Sequence, residues 1–263
     1  MLRLLTYNVH RCIGVDGRLS PQRVAEAIAS TEPDIVVLQE LDVGRARTGG
    51  VDQAEIIARE LGMQMHFHPA LKVMEELYGD AILTALPSRL VRAGPLPGFK
   101  GWRVLEPRGA LWAELEIAGA RLQIINTHLG IVPRESAIQM EWLLGPEWLG
   151  HPECRDPAIL AGDLNAVPGT RTYRRISRRL RDAQLTQKIR STKPTFPARL
   201  PVLRIDHVFV SAAIEVLKAQ VVRTPLTRVA SDHLPILVDF NIQAETRPAL
   251  TAVAPVKFEV VRL

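Results

Sequence analysis

The amino-acid sequence predicts one α/β domain in which strands outnumber helices and the sheets are at least partly antiparallel. Short apolar runs rich in Val, Ile and Leu recur along the 263 residues, with helical patterns between some of them. Two of these runs, 111–117 and 121–126, are joined only by three residues around Gly119, which is typical of a β-hairpin and disfavours a purely parallel sheet. With 47% hydrophobic residues, the chain is long enough to bury a large core.

Eight segments have the length and composition of buried strands. They are residues 2–7, 34–38, 111–117, 121–126, 157–162, 204–210, 214–222 and 234–240. Helices are predicted between them from capping residues and apolar spacing. The first begins after Ser20 and ends before Pro33, and the second begins after Asp52 and ends at Gly62. A third covers roughly residues 134–144.

The chain contains no linker rich in Gly, Ser or Pro and no internal repeat. We therefore expect one domain over residues 1–243 and a weakly patterned tail over residues 244–263. The two cysteines, Cys12 and Cys154, have no CxxC spacing and predict neither a disulfide framework nor a thiolate metal site. No apolar run is long enough for a signal peptide or a spanning helix, which favours a cytoplasmic protein and leaves its oligomeric state open.

The formal charge of +5 is concentrated in one segment. Residues 171–190 contain eight basic residues and one acidic residue, a formal charge of +7, so the rest of the chain sums to −2. Within this segment Tyr173, Ile176, Leu180 and Ala183 recur at helical spacing, which predicts a fourth helix with its arginines on the exposed face. A solvated helix face is the common explanation of such a run, and a phosphate-binding surface is the functional alternative.

Polar residues that can do chemistry lie where apolar strands end and the chain enters a loop. They are Asn8 and His10, Gln39 and Glu40, Asn126 and His128, Asp163 and Asn165, Asp206 and His207, and Asp232 and His233. Singly they have structural explanations, such as a turn cap for Asn8, a solvated loop acid for Glu40 or a buried core histidine for His128. Together they favour a functional site, because carboxylates beside apolar strands are costly to bury unless a cation or hydrogen-bond donors compensate.

Oxygen donors dominate this set, and no cysteine stands nearby. The donors are Glu40, Asp163, Asp232, Asn8 and Asn165. Such ligands suit Mg²⁺ or Mn²⁺ better than zinc, which would favour more histidines. A bound divalent cation can polarise a phosphoryl oxygen while a carboxylate or histidine prepares the attacking water. The sequence has no GxSxG motif and no Walker loop, so neither a serine hydrolase nor a P-loop nucleotidase is indicated.

Six motifs occur in an order that resembles the endonuclease/exonuclease/phosphatase superfamily, which includes deoxyribonuclease I-like nucleases, apurinic endonucleases, sphingomyelinases and inositol polyphosphate 5-phosphatases. They are TYNVH at 6–10, DIVVLQE at 34–40, NTHL at 126–129, GDLNAVPG at 162–169, RIDHVFV at 204–210 and SDHLP at 231–235. The resemblance runs from about residue 2 to residue 241. It implies a four-layer sandwich of two mixed β-sheets flanked by helices, a fold that the strand pattern agrees with but does not select by itself.

The resemblance also implies a divalent-metal-dependent phosphoesterase that hydrolyses phosphodiester bonds with Mg²⁺ or Mn²⁺ as its cofactor. In that family pattern Glu40 is the main metal ligand with Asn8 beside it, and Asp232 contributes directly or through water. His233 is the catalytic histidine. Asp206 then orients the imidazole of His233 and favours its charged form.

Three further residues follow from the same resemblance. Asp163, which also counts among the metal ligands, and Asn165 position or deprotonate the water and bind the phosphorus centre, while His128 donates to a non-bridging oxygen. The family allows either Asp163 or His233 as the base, so this assignment stays open. Arg108, at the entry to a strand, is a candidate phosphate-binding residue, with a surface arginine as the alternative.

Three positions depart from the family pattern. Asp80 adds a negative charge where many members carry Asn. His207 stands where an aromatic residue usually follows the orienting Asp. His10 occupies a place where apurinic-type nucleases often carry an acid, and it either faces the site or packs.

Two substrate classes remain open at this stage. Nucleic acid is favoured by the basic segment that follows the GDLNAVPGT loop, although aromatic residues for base stacking make up only 5% of the chain. The alternative is a phospholipid head group or a small phosphorylated metabolite, for which the apolar loop 94–102 with Trp102 would contact a lipid surface. A non-catalytic binding module is disfavoured, because no expected catalytic position carries an inert residue.

Overall fold

The computed structural model describes residues 1–99, 105–187 and 192–243. The predicted tail 244–263, Trp102, and Lys188 and Arg190 of the basic segment lie outside these ranges. The described residues form two mixed β-sheets of six strands each, with helices on their outer faces. This is the four-layer sandwich that the resemblance implied.

The first sheet is built from both ends of the chain. Its strands are β1 (Leu2–Asn8), β2 (Ile35–Val43), β3 (Gln64–Val73), β4 (Glu76–Thr84), β11 (Ile214–Val221) and β12 (Ile236–Ile242). They lie in the order β11-β12-β1-β2-β4-β3, and β1 and β2 form the parallel pair in the middle. The register pairs Asn8 with Gln39, so the carboxyl end of β1 lies beside the middle of β2, next to Glu40.

The second sheet has the same plan. Its strands are β5 (Ser88–Pro95), β6 (Gly109–Ile117), β7 (Ala120–His128), β8 (Ala158–Asp163), β9 (Arg181–Asp182) and β10 (Asp206–Val210). They lie in the order β5-β6-β7-β8-β10-β9, with β7 and β8 parallel. The register places His128 and Asp206 on either side of Asp163, so three predicted site residues stand in a row across adjacent strands.

Helices cover the outer faces of both sheets. They are α1 (Pro21–Ala29), α2 (Gln53–Leu61), α3 (Pro133–Leu144), α4 (Arg171–Ile176), α5 (Ala183–Thr186) and α6 (Thr227–Ala230). One apolar cluster lies between the sheets and includes Leu4 and Ile124. A second packs α1 and α2 against the first sheet through Ile28 and Ile57, and a third packs α3 and α4 against the second sheet.

The capping predictions for the first two helices are confirmed. The Ser20 hydroxyl accepts a hydrogen bond from the backbone N–H of Arg23, and the Asp52 carboxylate accepts one from that of Glu55. Gly62 ends α2 in the left-handed conformation, with φ 63°. The first helix already ends at Ala29 and does not continue to the proline four residues later.

All eight predicted strands are present, with ends shifted by a few residues. Four strands, β3, β4, β5 and β9, were missed by the sequence analysis. β5 is an edge strand whose side chains are half-buried or exposed, and β3 on the edge of the other sheet is similar, so neither shows the apolar alternation that marks a buried strand. β9 is only two residues long.

The prediction of one amphipathic helix over residues 171–190 was wrong. α4 ends at Ile176, and the chain then turns through β9 into the one-turn helix α5. The four apolar residues of the segment are nevertheless buried as predicted. Arg175, Arg179 and Arg181 donate to backbone carbonyls of neighbouring elements, so part of this charge anchors the segment and does not form a free basic stripe.

A polar link joins the two sheets close to their central strand ends. Nε2 of Gln39 on β2 donates to Oδ1 of Asn126 on β7 at 2.8 Å. Nδ2 of Asn126 in turn donates to the carbonyls of Leu38 and Ala81, each at 2.8 Å. Because both side chains are fully buried and these hydrogen bonds connect the sheets, they fix the relative position of the sheets beneath the strand ends.

Candidate active site

The predicted site residues meet at one end of the sandwich. Asn8, His128 and Asp163 end β1, β7 and β8, and Glu40 lies near the end of β2. Asp206 begins the antiparallel strand β10, which brings it to the same end. The two central parallel pairs therefore bring polar side chains from both sheets to a common cleft.

A bulge in β2 turns the Glu40 side chain into this cleft. The pairing of β2 with β4 shifts between Leu38 and Leu41, and Glu40 within the shift has φ 63°. Nδ2 of Asn8 donates to Glu40 Oε1 at 2.9 Å and to Asp163 Oδ2 at 3.0 Å. One amide group thus connects carboxylates that come from different sheets.

Asp163 is held rigidly at the end of β8. The preceding Gly162 has φ 140°, and a Cβ atom there would lie 1.9 Å from the carbonyl oxygen of Thr127, so the close approach of β7 and β8 requires glycine. The backbone N–H of Asn165 donates to Asp163 Oδ1 at 2.9 Å. Burial, followed by the neighbouring Asp206 carboxylate, raises the pKa of Asp163 above its usual range.

His233 and Asp206 form a buried dyad. Nδ1 of His233 lies 2.9 Å from Asp206 Oδ2, which also accepts a hydrogen bond from the Thr195 hydroxyl. The Phe196 ring packs against the imidazole with 4.8 Å between centroids. Burial lowers the pKa of His233, but the nearby carboxylates, Asp206 first among them, outweigh it and raise the pKa well above its usual value.

His128 is fixed in the neutral form. Burial, then the Arg108 and His233 charges, lower its pKa well below the usual value. Nη1 of Arg108 lies 3.1 Å from Nδ1 of His128, and because a guanidinium only donates, Nδ1 must accept. The ring proton therefore lies on Nε2, which is 3.5 Å from Asp163 Oδ2.

A cleft of about 710 Å³ opens over these groups. Eight residues singled out in the sequence line it, namely His10, Glu40, Arg108, His128, Asp163, Asn165, Asp232 and His233. Asn8 and Asp206 are almost fully buried and contact the lining carboxylate and imidazole from behind. Asp232 stands at the rim, where its Oδ1 is 3.8 Å from Nδ1 of His10.

The chemistry of the donor set fits a hard divalent cation. Glu40 and Asp163 approach the same amide from two sides, and Asp163 is only 2% exposed. Ligand atoms of Asp163, Asp206 and His233 lie within 4.8 Å of one another. Since Asp206 is already bonded to His233 and Thr195, the carboxylates left to balance a cation are Glu40, Asp163 and Asp232. Both cysteines are free, and neither lines the cleft.

Comparison with known proteins identifies the family. The model of the Endonuclease/Exonuclease/phosphatase family matches residues 5–233. The chain belongs to the endonuclease/exonuclease/phosphatase family. A relative in Escherichia coli K12, the uncharacterized protein YbhP, is 23% identical over 253 residues, covering 91% of this chain and 96% of the relative.

Two solved structures have the same fold as this chain. The mannosyl-6-phosphatase of Bacteroides thetaiotaomicron aligns with a TM-score of 0.74 at 21% identity, over 92% of this chain and 100% of that one. The catalytic domain of human Nocturnin, determined with bound sulfate, aligns with a TM-score of 0.70 at 24% identity, over 92% and 94% of the two chains. Among the described residues, no helix is both long and apolar enough to cross a membrane.

Two departures from the pattern of the endonuclease/exonuclease/phosphatase family now have a structural explanation. Asp80 on β4 is 4% exposed and accepts from the backbone N–H of Glu40, and burial raises its pKa to about 7. His207 packs as an aromatic ring against Tyr173 and Phe209, and its Nε2 donates to the carbonyl of Ala166 at 2.8 Å. His207 thus holds the loop after Asp163 through the Ala166 carbonyl, and Asp80 holds the backbone of Glu40.

The third departure, His10, faces the cleft. It follows Asn8 in a short 3-10 helix, His10–Cys12, and its backbone N–H donates to Asn8 Oδ1 at 3.1 Å. Its Nδ1 is 3.2 Å from the carbonyl of Ile13. His10 therefore orients the Asn8 amide through its backbone while its ring forms part of the wall.

The sequence analysis missed several residues that line the cleft or hold its members. Arg11, Arg47, Tyr78, Glu106 and Phe196 line it, and Thr195 bonds to Asp206. Their only sequence signal is proximity to a motif, since Arg11 follows TYNVH and Arg47 follows DIVVLQE. Tyr78 comes from β4, a strand that the sequence did not predict.

Proposed function

We propose that this protein hydrolyses phosphate esters at the cleft with the help of Mg²⁺ or Mn²⁺. The observation that carries the proposal is the meeting of Glu40, Asp163 and the His233–Asp206 dyad in one buried cluster. Membership of a family named for nucleases and phosphatases supports the same reaction class.

In this proposal the cation is held by oxygen atoms of Glu40, Asn8 and Asp163, with Asp232 contributing from the rim. When bound, it supplies Lewis-acid polarisation of the phosphoryl oxygen and stabilises the leaving oxygen. To act as a ligand, the Asn8 amide would turn its oxygen toward the cleft and give up the contacts that its nitrogen makes with two carboxylates and its oxygen makes with the backbone N–H of His10. Carboxylates this close together repel one another, so their pre-assembly in the fold favours binding of a divalent cation.

The chain's own residues orient and deprotonate the attacking water. Nδ1 of His233 is bonded to Asp206, and its Nε2 points into the cleft 3.7 Å from Asp163 Oδ2. Because three carboxylates surround the imidazole and favour its charged form, we assign the acceptance of the water proton to Asp163. His233 then stabilises the negative charge that develops on the phosphoryl group.

Donors for the non-bridging oxygens come from the second sheet. Nε2 of His128 and Nδ2 of Asn165 lie 3.1 Å apart beside Asp163, and Nδ2 of Asn165 also donates one proton to the carbonyl of Leu129 at 2.9 Å. With the ring proton on Nε2 both nitrogens are donors and do not satisfy each other, so the ring proton and the second Nδ2 proton would be donated to a phosphoryl oxygen. Arg108 adds a positive charge behind His128.

We consider two classes of substrate. The cleft is large enough for a small phosphorylated molecule, and its apolar wall of Ile131, Phe196 and Leu203 would contact the organic part of such a substrate. Nucleic acid is the second candidate, favoured by Arg171 and Arg174, which are exposed and follow Thr170 at the rim of the cleft.

The test is turnover of p-nitrophenyl phosphate and bis(p-nitrophenyl) phosphate with Mg²⁺, Mn²⁺ or EDTA. We expect cation-dependent hydrolysis that Glu40→Ala abolishes and that Glu60→Ala, which removes an exposed carboxylate of α2, leaves intact. Turnover that persists in EDTA or in Glu40→Ala would refute the site assignment. Plasmid DNA, RNA and phospholipid vesicles, tested next, separate nucleic acid, lipid head groups and small metabolites as substrates.

A further inference from the structure

Two arginines line the cleft outside the carboxylate cluster. Arg47 and Arg11 both contribute to the wall, with Tyr78 between the cleft and the core. Neither arginine belongs to a motif that carries the proposed hydrolysis. The contacts that hold each arginine in place indicate what kind of ligand it would bind.

Arg47 is pinned by a buried carboxylate. Its Nε and Nη2 donate to the two oxygens of Asp42 at 2.8 and 2.7 Å, and Asp42 is 0% exposed. The Thr48 hydroxyl donates to the same carboxylate at 3.1 Å. The Tyr78 ring lies beneath the guanidinium, 5.3 Å from its carbon to the ring centroid. The guanidinium is therefore fixed in orientation before any ligand arrives.

One edge of the Arg47 guanidinium remains for a ligand. The Nε–Nη2 edge is used by Asp42, and Nη1 has no hydrogen-bond acceptor among the described residues. The side chain is 36% exposed and lines the cleft. A planar guanidinium with one edge fixed presents its other edge in a defined direction, which suits the paired oxygens of a phosphate.

Arg11 brings a second, less compensated charge to the same wall. It lies in the left-handed region with φ 55°, and its Nη2 contacts Nε2 of His10 at 2.6 Å. No carboxylate pairs with it among the described residues, and its buried Nε has no acceptor there. A guanidinium without an acid partner in a cleft favours an anionic ligand.

A single buried side chain couples the two arginines. Nε2 of Gln53 donates to the carbonyl of Arg11 at 2.7 Å, and Oε1 of Gln53 accepts from the backbone N–H of Asp42 at 2.9 Å. Gln53 is 0% exposed. The loop that carries Arg11 is therefore held against the end of β2, where Asp42 binds Arg47.

We propose that Arg47 and Arg11 form a second anion site, which binds a phosphate group of the substrate that is not cleaved. The inference rests on the proposed function and narrows it to phosphate esters that carry a second phosphate. That phosphate has two sources, the next phosphate along a nucleic-acid strand or a second phosphate of a small metabolite. In either source, a phosphate group with one or two negative charges presents its oxygens to the guanidinium groups.

The test uses two chromogenic substrates that differ only in the second phosphate. They are the 5′-p-nitrophenyl esters of thymidine 5′-phosphate and of thymidine 3′,5′-bisphosphate. For the wild-type protein we expect kcat/KM for the bisphosphate to be about tenfold or more higher, mainly through KM, since charge-assisted hydrogen bonds carry the difference. In Arg11→Met this ratio should fall toward one, whereas Arg59→Met, an exposed arginine of α2, should keep it.

Removing Arg47 alone would leave Asp42 as an unpaired buried carboxylate and endanger folding. The double variant Asp42→Asn with Arg47→Met removes both charges and should also lower the ratio toward one. Fructose 1,6-bisphosphate and fructose 6-phosphate, used as competitors of p-nitrophenyl phosphate, test the metabolite source. A bisphosphate preference confined to the thymidine pair assigns the site to nucleic acid, and a preference shown by the sugars assigns it to metabolites.

A readout without turnover separates this inference from the proposed function. In EDTA, inorganic phosphate should raise the Tm of the wild-type protein and of Arg59→Met, and raise it less in Arg11→Met. If p-nitrophenyl phosphate is hydrolysed but the second phosphate gives no preference in the wild type, the anion site is refuted and the hydrolase stands. If nothing is hydrolysed with either cation, the proposed function fails, and the phosphate-dependent Tm alone decides on the anion site.

Discussion

Nδ1 of His233 lies 2.9 Å from Oδ2 of Asp206, and this contact joins the two sheets. His233 precedes β12 of the first sheet, and Asp206 begins β10 of the second. The side chains of His233 and Asp206 are only 7% and 2% exposed, so the pair is largely shielded from solvent. The orientation of the imidazole therefore depends on a partner that only the assembled sandwich provides.

Replacing either member of this dyad should impair catalysis. We expect His233→Ala to lower kcat by about 10² to 10⁴, the range for losing a positioned acid–base group. Asp206→Asn should lower it less, because the imidazole keeps a hydrogen-bonding neighbour but loses the charge that favours its protonated form. The double variant should lose little beyond His233→Ala, since the residues act as a unit. Rates on bis(p-nitrophenyl) phosphate test this, and fully additive losses would refute the coupling.

Arg108 should set the tautomer of His128. The guanidinium donates toward Nδ1, which leaves the proton on Nε2. In Arg108→Met we expect a mixture of tautomers and a fall in kcat of about tenfold, since one donor to the phosphoryl oxygen is lost in part of the molecules. Nitrogen-15 NMR of the histidine rings at neutral pH reads the tautomer directly. An unchanged Nε2-protonated ring in the variant would show that Arg108 does not fix it.

Asp80→Asn should stabilise the metal-free protein and weaken cation binding. Burial raises the pKa of Asp80 from its ordinary 3.8 to about 7 in the folded state. Between pH 4 and 7 the Asp80 carboxyl is therefore protonated in the folded state and ionised in the unfolded state. The free energy of unfolding consequently falls as the pH rises through this range, and the destabilisation by Asp80 is complete above about pH 7. We expect a gain on the order of 2 kcal/mol at pH 8 in EDTA, and a smaller gain at pH 5.

The same variant should bind Mg²⁺ several-fold more weakly, because a negative charge beside Glu40 is removed. Urea unfolding in EDTA at the two pH values, with a Mg²⁺ titration of activity, measures both effects. Asp80→Leu is the control that also removes the acceptor for the Glu40 N–H. Equal stability of wild type and Asp80→Asn at pH 8 would contradict the raised pKa.

His207→Phe should restore the usual aromatic residue of the family at a cost in stability. The ring contacts with Tyr173 and Phe209 can be kept, but the carbonyl of Ala166 loses its donor in a buried environment. We expect a loss of about 1 to 2 kcal/mol in urea unfolding, with kcat reduced only slightly. A variant as stable as the wild type would mean that water or backbone movement satisfies this carbonyl.

The sequence predicted the carboxylate and histidine groups but not the residues that surround them. Glu40 interrupts an apolar strand, Asp163 ends one and His233 closely precedes one, so each polar side chain stands out from the apolar residues near it in the sequence. Thr195 lies in a loop and Arg47 in a single 3-10 turn, and their importance comes from contacts with Asp206 and Asp42 that only the folded chain makes. Roles in catalysis and metal binding remain predictions for the variants above.

The fold was predictable to a similar extent. Buried central strands such as β2 and β8 begin with continuous apolar runs, because both of their faces are covered. The edge strands β3 and β5 lack this pattern, since their environment is partly solvent. The basic segment has the spacing of a helix up to Ala183, but α4 ends seven residues earlier, and the buried residues after it are placed by a turn and a short strand.

The Gln39–Asn126 link has a mechanical consequence for the cleft. It ties the sheets one residue before Glu40 and two residues before His128, so the two halves cannot slide without breaking a fully buried amide pair. The gap between the two sheets at the cleft is therefore set by a buried contact. We expect this tie to keep the width of the cleft nearly constant when a ligand binds.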